Sequence, residues 1–393
     1  MVLTLVVLKL TYRALSAADF LIFNSVLFAL GLASGCFAPS LRALWKYGDV
    51  STAARAGLVN VGISVAVVTA FLVSNRTLLT THDVDVVALA TGAAALYCGA
   101  KAVERMIYAY GFMKHEFRLA FGASSLFIIF ELAVVIPARF RSSLVLRLLG
   151  PAALFLISCW QYGRLRGAAK GFRIARFLTA TRAFFRAEYI SRTGLLTLAY
   201  TVLFGITAMI ERVYPTFVPA NSMVQDAGAF KDYLLVLAYA VAFQSVVSIA
   251  VDWARPLIIN ESVVQRRARD QALFTAAWIV VAGISACTLG FWLFHFLNLI
   301  PESVPITLWS LILLRGTAAV LIFLAQVDLV IAGRVARACI PWLAIILTEI
   351  VLIGGNLSIE NLRHTLSVTA SGMLAVAGCE LFLLTRRLRV ARQ

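Results

Sequence analysis

The sequence predicts an all-α polytopic membrane protein with about twelve transmembrane helices, arranged as two six-helix lobes that meet at a central site. Three observations carry this expectation. Hydrophobic residues make up 61% of the 393 positions and charged residues only 14%, with a mean hydropathy of +0.90, far from the composition of a soluble globular chain. The apolar residues fall in runs of about 20, the length that crosses a hydrocarbon core of about 30 Å. Lysine and arginine gather in alternate connections between these runs, as they do in cytoplasmic loops.

From the N-terminus, MVLTLVVLKLTYRAL is apolar but interrupted by Lys9 and Arg13, and reads as a short or truncated first span. Clear spans follow at 17–38, 55–75, 84–110, 117–138, 143–163, 190–212, 231–253, 271–298, 304–332, 337–355 and 364–385. Starting from 39–54, alternate connections hold Arg42, Lys46, Arg55, Lys114, Arg118, the run from Arg164 to Arg186, Arg255, Arg266, Arg267, Arg269, Arg334 and Arg337. The tail adds Arg386, Arg387, Arg389 and Arg392, whereas the opposite connections hold only Arg76, Arg139, Arg141, Lys231 and Arg363. The basic face is the cytoplasmic one, which places both termini inside a cytoplasmic (inner) membrane.

The connection 164–189 divides the chain into a lobe at 1–163 and a lobe at 190–393. Within it Lys170, Arg173 and Arg176 recur among Phe and Ile, the pattern of a basic amphipathic helix at the membrane surface. The net charge of +16 therefore points to anionic inner-leaflet lipids, and not to nucleic acid. The two lobes share no evident sequence identity.

Several chemistries are missing. The sequence contains no GxxxxGK[ST], HExxH or CxxC pattern, so no nucleotide-phosphate loop, metal site or cofactor is expected. The six cysteines, Cys36, Cys98, Cys159, Cys287, Cys339 and Cys379, all fall in spans and read as small buried hydrophobes. The largest outer connection, 213–232, is too short to carry the loop-borne carboxylates of a membrane glycosyltransferase, so enzyme chemistry is not expected.

The functional handles are charges inside spans, because each costs several kcal/mol unless it is paired or hydrated. The candidates are Glu104, Arg105, Glu131, Arg147, Glu211, Arg212, Asp252, Arg315, Asp328, Glu349 and Glu380. Arg315 is the most conspicuous, alone in LWSLILLRGTAAVLIFL (308–324). For Arg315, Glu131, Glu349 and Glu380, mutual pairing that fixes helix packing stands beside a direct role.

Three stretches resemble polysaccharide flippases. In LKLTYRALSAADFLIFNSVLFALGLASG, the residues Arg13, Leu15, Ser16, Asp19 and Phe20 match the family's entry to its second helix. MIERVY and the following DAGAFKDYLLVLAYAVAFQSVVSIAVDWARP match a second pattern through Glu211, Arg212, Gly228, Phe230 and Pro256, although Glu211 replaces the usual Asp and Phe230 the usual Tyr. LVIAGRVARACIPW is similar to a third, a Gly-Arg turn between late helices. The resemblance is to the multidrug, oligosaccharidyl-lipid and polysaccharide (MOP) exporter superfamily.

That resemblance implies a central cavity open to each side in turn, carrying an undecaprenyl-pyrophosphate-linked oligosaccharide, the precursor of an O-antigen (lipopolysaccharide) or exopolysaccharide. Arg315 would bind the diphosphate, seconded by Arg147, with Arg212 and Arg13 nearer the outer mouth. Glu131, Glu349 and Glu380 would couple an ion, or neutralise the arginines in an empty cavity. Other glycan-assembly proteins are implied as partners. The rivals are a cation-coupled multidrug antiporter of the same superfamily and a membrane glycan polymerase or ligase.

Overall fold

The structure is a computed structural model that describes residues 2–74, 84–114, 116–135, 144–165, 174–213, 306–331, 334–353 and 359–390, together with scattered positions between 231 and 296. The expected spans 231–253 and 271–298, Asp252, Gly228, Phe230, Pro256, and most of the outer connection 213–232 lie largely or wholly outside the described residues, as do Lys170 and Arg173. Among the described residues the secondary structure is entirely helical.

The helices are α1 (Val2–Ala14), α2 (Ala17–Gly35), α3 (Ala38–Tyr47), α4 (Val50–Ser74), α5 (Val84–Met113), α6 (Phe117–Val135), α7 (Leu144–Leu165), α8 (Ile174–Phe185), a π-helical turn (Arg186–Ile190), α9 (Arg192–Val213), α10 (Ile306–Ile331), α11 (Val335–Ile353) and α12 (Ile359–Val390). Five of them are long and apolar enough to cross a membrane, or up to seven if each of two bent pairs counts as one span. The chain divides into two compact units, residues 2–202 and 203–393.

In the first unit α5 is the hub, packed against α4, α6 and α7 and also touching α2 and α3. Ala90, Ala93, Ala94, Ala100 and Ala102 line its buried side. Without a hydrophobic drive between helices in lipid, such small residues let backbones approach closely enough for dispersion to hold them together. α1 lies on α6, and α8 lies on α4. In the second unit α10 and α12 form the main contact, with α11 against both. Phe204 there sits 5.1 Å from both Phe323 and Trp342, ring centre to ring centre.

Two breaks depart from the straight spans expected of the sequence. The segment expected to end at 38 with a loop behind it instead continues into α3 after a bend of 48°. The chain re-enters a helix there because Pro39 occupies the first turn of α3, where its missing N–H costs nothing. α3 stops at Gly48, whose φ of +68° is a left-handed cap that favours glycine. In the turn that follows, Ser51 and Thr52 donate to Asp49 and hold its carboxyl below the usual carboxylate range.

The second break is a bend of 70° between the π turn and α9. Ser191 is extended there, and its Oγ accepts the Gly194 N–H at 3.1 Å, capping α9. A Cβ on Gly194 would lie 1.9 Å from the Glu188 carbonyl oxygen, so only glycine fits. The adjacent Tyr189 is buried; its hydroxyl lies 2.7 Å from Ser40 Oγ on α3 and donates to Asn60 Oδ1 on α4 at 3.0 Å. Asn60 Nδ2 in turn meets Met106 Sδ on α5 at 2.9 Å. On α8, Thr181 and Phe184 are buried while Arg176, Arg182 and the following Arg186 are exposed, as is Leu178.

Gly194→Ala is expected to destabilise the protein by about 2 kcal/mol or more, since the clash is with backbone and cannot be relieved by a rotamer change. Thermal unfolding of the purified protein would show it, and an unchanged melting temperature would mean that the bend relaxes freely.

Candidate functional site

Among the described residues each unit holds one arginine in its interior, and each of these arginines faces a glutamate. In the first unit Arg147, on α7, is 1% exposed. Its Nη2 lies 3.8 Å from Glu131 Oε1 on α6, and its Nε donates to Thr11 Oγ1 on α1 at 3.0 Å. The Thr11 hydroxyl donates in turn to the Val7 carbonyl at 2.8 Å. The guanidinium carbon stands 5.1 Å from the centre of the Phe23 ring, within cation–π range. The Glu131 oxygen that faces Arg147 also accepts the Tyr97 hydroxyl from α5 at 2.7 Å. The Nη1 atom of Arg147 is buried and has no hydrogen-bond partner among the described residues.

The second unit makes a tighter pair. Arg315 on α10 is 1% exposed and Glu349 on α11 is fully buried. One guanidinium nitrogen, Nη2, donates both to Glu349 Oε1 and to the backbone carbonyl of Thr207 on α9. Taking both ions out of water costs several kcal/mol each, which only close geometry and further hydrogen bonds offset. Glu380, on α12, is placed with a different group: its Oε1 accepts from Gln326 Nε2 at 3.3 Å, and Trp342 Nε1 donates to Gln326 Oε1 at 3.0 Å.

The remaining candidates are more peripheral or lie beyond description. Arg13 is exposed at the end of α1. Glu211 and Arg212 lie in the last turn of α9, and their side chains, like that of Asp328 on α10, fall outside the described residues. Glu104 is buried and accepts from Ser124 on α6, with Lys101 3.9 Å away. The flippase-like residues at the start of α2 have a local explanation: Ser16 Oγ accepts the Asp19 N–H at 3.1 Å and bonds the Asp19 carboxylate at 2.9 Å. Leu15 and Phe20, both buried, occupy the positions of a hydrophobic staple around that cap. An open groove of about 930 Å³ between α5, α6 and α7 is walled by Phe117, Gly122, Leu126, Phe155 and Tyr162, away from the two arginines.

The two units also agree in register. One constant shift along the chain lays α6 on α11 end for end and takes Met113, the last residue of α5, to Ile331, the last of α10. The same shift takes Tyr97 to Arg315, Glu131 to Glu349 and Arg147 to Thr365, which is itself buried. Tyr97, Thr11 and Thr207 were not among the residues expected from sequence. The equal spacing of Glu131 and Glu349 from their partners on α5 and α10 is the signal that would have found Tyr97.

No protein-family model matches the sequence, and no curated protein matches it. In three dimensions the chain is similar to the crystal structure of the eukaryotic MATE transporter AtDTX14, with a TM-score of 0.51 and 14% sequence identity over 99% of this chain and 93% of that one. The fold is thus that of a MATE transporter, an all-helical multi-pass membrane protein.

Removing one member of a buried pair strands the other, so Arg315→Gln is expected to cost about 3–5 kcal/mol, whereas Arg315→Gln combined with Glu349→Gln should cost much less. Thermal unfolding of both variants in the same detergent checks this, and equal losses would show that the ion pair is not what the site depends on.

Proposed function

We propose that the chain is a membrane transporter of the MOP type that moves an undecaprenyl-pyrophosphate-linked oligosaccharide, an O-antigen or exopolysaccharide precursor, across the cytoplasmic membrane by alternating access. The observation that carries this reading is the MATE-transporter fold over nearly the whole chain. The substrate class is supported by the flippase-like residues and by the pair of interior arginines, one per unit. A guanidinium offers a planar fork of donors that fits phosphate oxygens better than an ammonium does. Glu131 stands beside the Arg147 guanidinium, in the place that a phosphate oxygen would take. The excess of basic residues in alternate connections supports cytoplasmic termini. The basic face then lies against anionic lipids and against the enzymes that assemble the glycan.

Complementation in a strain lacking its own glycan flippase tests the reading. Restored surface glycan, with lipid-linked precursor accumulating when the arginines are replaced, is the expected result. Failure to restore glycan, combined with drug resistance that disappears in Glu131→Gln or Glu349→Gln, would replace it with cation-coupled drug antiport.

A further inference from the structure

We infer that the two interior arginines have divided the work, and that Arg147 receives the phosphate oxygens of the substrate while Arg315 is a fixed counter-ion of the fold. The inference rests on the phosphate-bearing substrate proposed above, and it reverses the order that the sequence alone implies.

The register between the units supplies the first argument. Arg315 stands where the first unit has Tyr97, and the two side chains do the same thing: each donates to the glutamate that the shift superposes, Glu349 or Glu131. Arg315 is therefore the second unit's version of a structural donor. Arg147 has no such equivalent, because the second unit carries only Thr365 at that position. It is an additional guanidinium in a site whose carboxylate is already held.

Hydrogen bonding supplies the second argument. Arg315 is committed to both a carboxylate and a backbone carbonyl. Arg147 keeps a buried Nη1 atom with no hydrogen-bond partner among the described residues, and its distance to Glu131 is 3.8 Å, beyond a direct hydrogen bond. A buried donor left unpaired is costly, and its cost is recovered when an acceptor arrives. Because Tyr97 holds Glu131 independently, Arg147 can turn to an incoming anion without stranding the carboxylate. Thr11 and the Phe23 ring fix the other side of the guanidinium, leaving the unpartnered edge as the place for a phosphate oxygen.

The test uses the full chain purified in detergent, with inorganic pyrophosphate as the probe, and reads affinity by calorimetry and melting temperature separately. The paired variants Arg147→Gln with Glu131→Gln, and Arg315→Gln with Glu349→Gln, each remove a whole ion pair, so neither leaves an uncompensated buried charge. The first is expected to lose about tenfold or more in affinity and the second to bind within about twofold of the wild type, each melting far closer to the wild type than Arg315→Gln alone. A third variant, Arg147→Thr with Tyr97→Arg, gives the first unit the arrangement of the second; it should melt near the wild type and still fail to bind. Pyrophosphate affinity lost with the Arg315 pair and kept without the Arg147 pair would overturn the assignment, as would equal losses in both. No binding to the wild type would overturn the phosphate-substrate reading itself, and this inference with it.

Discussion

A charge in hydrocarbon must be answered by another charge, and the described core of each unit is organised around that requirement. In water an Arg–Glu pair contributes little, because both ions are well solvated apart. Inside an apolar bundle the same pair fixes which helices are neighbours, since any other arrangement leaves an ion alone. Glu131 and Arg147 tie α6 to α7, Tyr97 brings in α5, and Thr11 brings in α1. Arg315 and Glu349 tie α10 to α11 and, through the Thr207 carbonyl, to α9. The apolar contacts around them, aromatic rings such as Phe23, Phe127 and Trp342 among small and branched side chains, lack that directional demand.

Much of this was legible in the sequence, and the reasons for the rest are physical. The helical membrane class followed from composition, because a bilayer admits few other structures. Pairing between interior arginines and glutamates was foreseeable as a class, since unpaired intramembrane ions are so costly, but the choice of partner was not. Glu380, like Glu349, stands in an apolar stretch, yet it accepts from Gln326 and not from an arginine. Hydropathy has no term for direction around a helix, so it cannot tell which interior charge faces which neighbour. The bends escaped for a related reason: the stretch around Gly35 and Pro39 stays apolar across the break, and a window average reads it as one span.

The two units match in geometry without evident sequence identity. Helix ends coincide to the residue between α6 and α11, and both carry the acidic position, with a tyrosine as its donor in one unit and an arginine in the other. What both units preserve is a hydrogen-bond donor aimed at a buried carboxylate. Either a tyrosine or an arginine satisfies the carboxylate there.

The bonds from Tyr189 to Ser40 and, through Asn60, to Met106 have a mechanical meaning. A connector joined to its bundle only by flexible backbone would behave as a slack tether, absorbing displacement at one end before the other felt it. Here the π turn is pinned to α3 and α4 by a rigid aromatic ring with its polar tip engaged, and the sharp bend behind it admits no side chain at Gly194. The connector is thus fastened to α3 and α4 at one point, the Tyr189 hydroxyl, so a displacement of its end would be felt there first.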